Sequence, residues 1–485
     1  MIATPQTDLP KLSNVTIYPV VTNDDEGIAK LFEKITQETK DPLAGFIHIG
    51  SKGKEYTKDI YPFAKDEIEL LKTLFLCAKN FVQANRHNNS FFVSGVRMDG
   101  SLGLLSGENT LQGGLFGLHK SLAIEWEEEI ATKGVDLAPE LTPEMASKYL
   151  LEEIFHRGYT SKEVGRRADG RRFAPKLVEN YIADLQHRSL MVTPEDTLLV
   201  TGGGRGITAS CVAHLGKISG CGFILLGRTD LSTDISWTKG ERETSTLKSL
   251  ALSYFAERNP GVKPKLTEIN ELVNTVLNQI EIRDNIEAIK ATGSSVVYES
   301  CDVRDVTQLK ALVKKHEKKG REITGLIHGA GTIADKKIQR KTAGDFNSVF
   351  GSKVEGLDAC LNALGLDKLK HLILFSSVAG FFGNGGQSDY AMANEVLNKF
   401  AFFFNKKQSS CNTVAINWGA WDGGSMVDES IRNIVKDTEL NLIPPEVGMS
   451  YFVEQFYHRE TPVQLVINCA DYLIRPKIEN LADLA

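Results

Sequence analysis

The stretch "LLVTGGGRGITASCVAHL", residues 198–215, runs from an apolar strand through a glycine-rich turn into an amphipathic helix. Gly202, Gly204 and Gly206 let main-chain N–H groups approach a pyrophosphate at the positive end of that helix. A glycine cluster alone reads equally as a structural turn. Here a strand precedes it, a helix follows, and a second apolar strand begins at Gly222, which is the context of a dinucleotide-binding unit. The second strand ends in Gly227–Arg228 with no acid. An Asp or Glu there grips the ribose hydroxyls of NAD, whereas an arginine suits the 2′-phosphate of NADP. Arg205 adds a second positive group, although either arginine is also compatible with a plain surface charge. Asp302 closes a third strand in "CDV" (301–303), placed to bond an adenine amino group or simply to end a turn.

Strand-like and helical patterns alternate outward from this stretch, which predicts parallel sheets covered by helices. In the first half the runs are "VTIYPVV" (15–21), "AGFIHIG" (44–50), "FFVSGV" (91–96) and "GVDLAPE" (134–140). In the second they are "TLLVTGG" (197–203), "GFILLGR" (222–228), "VVYESCDV" (296–303), "GLIHGAG" (325–331), "HLILFSS" (371–377) and "TVAINWG" (413–419). A weak repeat relates the halves: "FFVSGV", a glycine-rich loop, "GGLFGLHKSLAIEW" and "GVDLAPE" parallel "LILFSS", "GFFGNGGQSDYAMANEVLNKFAFF" and "TVAINWGA". The first copy has no tyrosine between residues 99 and 148, and its opening strand leads into "TNDDEG" instead of a glycine cluster. The predicted class is therefore α/β, with two Rossmann-like doubly wound parallel-sheet subdomains. The first (1–190) is degenerate and does not bind a cofactor; the second (191–485) is catalytic. Pro and Asp in "HRSLMVTPEDT" (187–197) mark the boundary. An unrelated α/β domain is the alternative for the first half.

The chain has 485 residues, 42% of them hydrophobic and 24% charged, with a net charge of −6. That length accommodates roughly two to four domains, and the charge gives no reason to expect a nucleic-acid partner. No apolar run is long enough to span a bilayer, and "MIATPQTDLPKLSN" lacks the apolar core of a signal peptide. Seven cysteines without a CxxC pair or a His/Cys cluster predict neither a disulfide framework nor a metal site, and a cytoplasmic protein.

The chemistry sits in "SSVAGFFGNGGQSDYAMAN" (376–394), where Ser377 precedes Tyr390 by thirteen residues and Asn394 follows it by four. A serine and a tyrosine at this spacing can hold a carbonyl and hand it a proton. A phenol with a pKa near 10 needs a nearby cation to exchange protons readily at neutral pH. Lys353 is the candidate. It lies on a helix marked by Phe346, Val349, Phe350, Val354, Leu357 and Leu361, between two apolar strands. There it would favour the phenolate and depress the tyrosine's pKa, unless it merely snorkels at a helix edge.

Lys353, Ser377, Tyr390 and Asn394, together with "TGGGRGI", "CDV", "HGAG" and "NWGAWDGGSM", closely resemble the ketoreductase domains of polyketide and polyunsaturated fatty acid synthases. These are complex members of the short-chain dehydrogenase/reductase superfamily. Ordinary members carry Tyr-xxx-Lys, with an asparagine on the preceding helix; the synthase ketoreductases exchange the two, as here. The family also has a truncated structural subdomain before the catalytic one. The resemblance implies NADPH-dependent reduction of a β-ketoacyl thioester, carried on the phosphopantetheine of an acyl carrier protein, to the β-hydroxyacyl thioester. Tyr390 would donate the proton, Ser377 would bond the carbonyl oxygen, Lys353 would lower the phenol's pKa, and Asn394 would support the lysine and a water. Ser376 is the nearest rival to Ser377, one residue off the family's spacing. The matching motifs assign cofactor contacts to Thr201, Gly202, Gly204, Arg205, Gly206, Ile207, Arg228, Asp302, Val303, Gly329, Ala330 and Gly331. Neighbouring synthase domains are the other implied partners, and the lack of a carrier or condensing motif suggests one domain of a longer synthase.

In this family an Asp eighteen residues before the lysine, here Asp335, marks reductases that give the (3R), or D, alcohol. A tryptophan eight residues before the tyrosine marks the opposite hand, and Phe382 stands there. The usual Leu-Asp-Asp has become Ile333–Ala334–Asp335, so only its last residue matches. "NWGAWDGGSMV" (417–427) resembles the segment leading into the substrate lid, with Trp421 and Met426 offering apolar surface and Gly423 and Gly424 a hinge; Trp421 is equally compatible with the core. An insertion at about 229–297 contains a long amphipathic helix ending at Gly293 and a shorter one before it. It would either dock a partner or elaborate the wall of the cofactor site. A non-catalytic or epimerising scaffold is the alternative to a working reductase.

Overall fold

Apolar runs such as "LLV" and "FILL" leave no polar face for water, so they are stable only as strands with helices packed on both sides. The computed structural model describes residues 2–3, 15–39, 42–51, 63–85, 90–105, 108–127, 129–156, 160–180, 189–422, 442–457, 462–467 and 473–480. Its first half opens with β1 (Ile2–Ala3), paired only with β2 (Tyr18–Pro19), then α1 (Asp25–Thr39) and β3 (Gly45–Ile49). It continues with α2 (Lys65–Asn85), β4 (Ser90–Val96), α3 (Gly114–Glu125), β5 (Ile130–Leu137), α4 (Pro143–Phe155), β6 (Glu163–Arg166) and β7 (Arg172–Asn180). "VTIYPVV" thus gives two paired residues outside the main sheet, not the strand predicted for 15–21.

The second half runs β8 (Thr197–Thr201), α5 (Gly206–Ser219), β9 (Gly222–Gly227), α6 (Thr244–Arg258), α7 (Leu266–Ala291), β10 (Val296–Ser300), α8 (Val306–Glu317) and β11 (Ile323–His328). After these come α9 (Ala343–Phe350), α10 (Gly356–Leu364), β12 (His371–Ser377), α11 (Val378–Phe382), α12 (Ser388–Lys407), β13 (Asn412–Trp418), α13 (Pro445–Glu454), β14 (Gln464–Ile467) and β15 (Leu473–Asn480). The two helices predicted in the insertion are α6 and α7.

The strands form one sheet of thirteen, in the order β10-β9-β8-β11-β12-β13-β14-β15-β7-β6-β5-β4-β3. The halves keep their own parallel sheets, and β15 joins them by pairing antiparallel with both β14 and β7. In the second half the strand order reverses between β8 and β11, which opens the crevice where ligands of doubly wound sheets bind. In the first half β3, β4, β5 and β6 lie side by side in chain order with no reversal among the described residues. Among the described residues that half therefore lacks the strand-order reversal that opens a crevice in the second.

The halves also share a core. Helix α3 lies against α12, so close that a Cβ on Gly117 would sit 2.3 Å from the Ala391 main-chain oxygen. Phe75 on α2 meets Phe346 on α9 with ring centroids 5.2 Å apart, and Phe63 meets Phe400 at 5.1 Å. A buried ionic cluster spans the same seam: Lys120 Nζ is 3.1 Å from Glu163 and 3.6 Å from Glu395, and Lys399 is 2.7 Å from Glu395. Each charge has a partner of opposite sign, the condition for keeping ions in a dry interior.

Candidate active site

The glycine loop closes the end of β8 as its sequence requires. Gly202 has φ 68°, and a Cβ there would lie 2.9 Å from the Gly329 carbonyl carbon, so the loops after β8 and β11 touch main chain to main chain. Thr201 locks this approach: its carbonyl accepts the Gly329 N–H (3.1 Å) and its hydroxyl accepts the Ala330 N–H (3.1 Å). Arg205 precedes α5 in extended conformation and supplies no side-chain cap. The first turn of α5 thus depends on a group from elsewhere, and Gly206 N–H donates to the Glu281 carboxylate of α7 at 2.9 Å. An anionic oxygen already fits this cradle, which is the test a dinucleotide phosphate has to pass. Arg228 is exposed beyond β9. Asp302 is tied to Arg304 (2.8 Å), which holds its carboxyl down to about 2.

Lys353 sits on a π-helical turn, Gly351–Glu355, inserted between α9 and α10. The predicted continuous helix is therefore interrupted at the candidate residue, where such turns often occur in functional sites. The lysine is 3% exposed; its Nζ donates to the Phe375 carbonyl (2.8 Å) and stands 5.4 Å from the Tyr390 ring centroid. His328 fixes the turn from below. Burial pushes its imidazole down to about 3, so it is neutral. Its Nε2 faces the Lys353 carbonyl at 2.8 Å and must carry the proton, which leaves Nδ1 to accept from the Thr201 hydroxyl at 2.9 Å. One chain of hydrogen bonds thus joins the glycine loop to the lysine turn. His328 thus positions the main chain of Lys353.

Ser377 ends β12 and caps α11, accepting the Ala379 N–H at 3.2 Å. Its neighbour Ser376 is engaged inward, with Oγ donating to the Asn394 carbonyl (3.2 Å). Tyr390 and Asn394 are one turn apart on α12; the Asn394 amide donates to the Tyr390 carbonyl (2.8 Å), and its Oδ1 is buried with no partner among the described residues. Gly380 allows this packing, since a Cβ there would lie 2.9 Å from Asn394 Cβ. Ser377, Lys353, Tyr390 and Asn394 therefore converge at the carboxyl ends of β11 to β13, beside the glycine loop. One expectation needs correcting. Burial raises the Tyr390 phenol above its ordinary value, with the Asn394 and Ser377 side chains pulling it back, and Lys353 is itself pushed down to about 7 by burial. Burial outweighs any pull from the lysine, which lies over the ring face and carries its own desolvation cost.

Asp335 lies at the mouth of the site, where its carboxylate accepts from the Gln387 amide at 2.9 Å. It also lines a 710 Å³ cleft with Val82, Gln83, Lys336, Lys337, Gln339 and Arg340. Two residues that sequence reasoning passed over hold this region. Lys341 is fully buried, paired with Asp389 beside Tyr390 and donating to the Ala334 carbonyl (2.7 Å) beside Asp335. Glu125, from the first half, accepts the Ile338 and Gly386 N–H groups at 2.7 and 2.9 Å. A lysine embedded in "IQRKTAG" carries no periodic signal of burial, and Glu125 lies more than 200 residues away in sequence. Phe382 is 46% exposed and available to a ligand. Trp421 is not: it is 4% exposed, its ring 5.0 Å from that of Trp418 and packed on Gly448, so its apolar surface belongs to the core and not to a lid. Gly423, Gly424 and Met426 lie outside the described residues. Among the described residues no His, Cys, Asp and Glu cluster suits a metal, and no helix is long and apolar enough to cross a membrane.

Residues 196–423 match the KR domain family model. One component of the polyunsaturated fatty acid synthase of Thraustochytrium sp. is 35% identical over 370 residues, covering 74% of this chain and 13% of that component. Polyketide synthase PksL of Bacillus subtilis is 31% identical over 182 residues, covering 36% of this chain and 4% of that synthase. The chain thus spans a small part of the curated relatives it matches. A ketoreductase domain from the bacillaene assembly line shares the fold with a TM-score of 0.66 at 20% identity, covering 92% of this chain and 94% of that one. A-type ketoreductases from a modular polyketide synthase do so at 0.67 and 17%, covering 95% and 84%. With its glycine loop and convergent Lys, Ser, Tyr and Asn inside the matched segment, the chain belongs to the KR domain family, the ketoreductase domains of polyketide and polyunsaturated fatty acid synthases.

Proposed function

We propose that the chain reduces a carrier-bound β-ketoacyl thioester to the β-hydroxyacyl thioester, taking hydride from NADPH and giving the (3R) alcohol. The observation that carries this reading is the convergence of Ser377, Tyr390, Lys353 and Asn394 beside an anion-accepting glycine loop. NADPH, held by the loop, Arg205 and Arg228, supplies the hydride chemistry when bound. Ser377 Oγ hydrogen-bonds the ketone oxygen and orients it. Tyr390 gives its phenolic proton to that oxygen as negative charge develops, and a raised pKa keeps the proton available at neutral pH. Lys353, in its charged form, stabilises the phenolate left behind. Asn394 lies one turn below the tyrosine with an unpartnered Oδ1, suited to hold a water that restores the proton. Asp335, held by the Gln387 amide beside the site, is the residue on which the (3R) reading rests through its resemblance to the family. The acyl carrier protein and neighbouring synthase domains are the proposed partners.

The test is NADPH oxidation with a short β-ketoacyl thioester, followed by chiral analysis of the product. The expected result is turnover to the (3R) alcohol that falls by about 10²-fold or more in Tyr390→Phe. Tight NADPH binding without turnover, even on a carrier-bound substrate, would instead favour a scaffold.

A further inference from the structure

The inserted helix α7 lies directly on the glycine loop. Ile282, buried, faces Gly204, where a Cβ would come within 3.2 Å of it. Asn285 donates to the Gly204 carbonyl at 3.0 Å, Arg205 donates to Asn278, and Gly206 N–H donates to Glu281 at 2.9 Å. Four residues of one helix face, 278, 281, 282 and 285, thus engage three consecutive loop residues. Two of these contacts use the groups that a dinucleotide phosphate needs: the first N–H of α5 and the Arg205 guanidinium. A carboxylate at that N–H carries the same sign of charge as the phosphate and uses the same donor, so the two cannot share it. The insertion is therefore part of the cofactor site, not only a surface for partners.

We propose that Glu281 gates the dinucleotide site: its carboxylate holds the Gly206 N–H and has to leave before a cofactor phosphate binds there. The proposal rests on the dinucleotide reading of the loop. Ile282 and Asn285 keep α7 seated while the exposed Glu281 side chain swings out, so the gate needs no unfolding of the helix. Arg205, already a cation, is released from Asn278 in the same step and is free to meet the incoming phosphate.

The test is NADPH affinity of the 485-residue chain, measured by nucleotide fluorescence for wild type, Glu281→Gln and Glu287→Gln. Glu281→Gln removes the charge while keeping the side chain's size and an oxygen acceptor; Glu287, exposed on the same helix and paired with Lys290, is the control. The expected result is binding about fivefold tighter in Glu281→Gln, the factor a unit charge about 4 Å away supplies in water. Glu287→Gln should match wild type. Unchanged or weaker binding in Glu281→Gln overturns the gate, weaker binding meaning that Glu281 grips the cofactor itself. Equal tightening in both variants also overturns it, because the effect is then the general field of the helix. If no form binds NADPH at all, the dinucleotide reading fails and the gate falls with it.

Discussion

Burial acts in opposite directions on the two groups at the centre of the site. It raises the Tyr390 phenol and pushes the Lys353 ammonium down to about 7. The lysine is a cation below that pH and neutral above it, so reduction should slow as pH rises through about 7. In Lys353→Met the rate should be lower and that fall should disappear, which a kcat profile from about pH 6 to 9 would show. A profile still falling near 7 in the variant would assign the titration to another group. Spacing marked Ser377 and Tyr390 as candidates and the resemblance added Asn394, because groups on a strand end and the next helix keep a fixed separation in sequence. The protonation balance was not legible, since it depends on water excluded by residues far along the chain.

At the scale of elements, the loop of Asp335 and the helix of Tyr390 are fastened by the buried Lys341–Asp389 pair. Removing one partner leaves an uncompensated buried charge, so Lys341→Met should destabilise the protein by about 3–5 kcal/mol. Lys341→Met with Asp389→Leu should recover most of that loss, as equilibrium denaturation would measure. Should the single and double variants be equally unstable, the pair contributes shape and not charge balance. The inserted helices were legible because α6 and α7 span several turns of apolar periodicity, enough for the pattern to outweigh noise. The five-residue π turn at Lys353 was not, since one extra residue in a helix leaves no compositional mark.

Across the whole molecule, the first half acts as a clamp on the second, with α3 packed on α12. Gly117→Ala would ordinarily favour a helix by about 1 kcal/mol. Here the added methyl would meet the Ala391 main-chain oxygen at 2.3 Å, so α3 and α12 must part. The expected outcome is a net loss of about 1–3 kcal/mol in denaturant titration, with reduced turnover although no catalytic side chain has changed. A stabilised variant would show that the seam gives way readily. The repeat in sequence related these two helices as copies, but showed neither that they pack together nor that Glu125 reaches across to hold Ile338 and Gly386.

Whatever depends on neighbours along the chain was readable before folding: the alternation of strands and helices, the glycine turn with its strand before and helix after, and the spacing of serine, tyrosine and asparagine. These are local because φ/ψ preference, side-chain periodicity and turn chemistry act over a few residues. Folding alone welds two sheets into one through β15, places Trp421 in the core, braces Lys353 with His328 and rests Glu281 on Gly206. Apart from the β14–β15 pairing, each of these joins residues between 25 and 307 positions apart, or follows from packing that excludes water. No window of sequence contains both partners, so the free energy that fixes them appears only when the chain has folded.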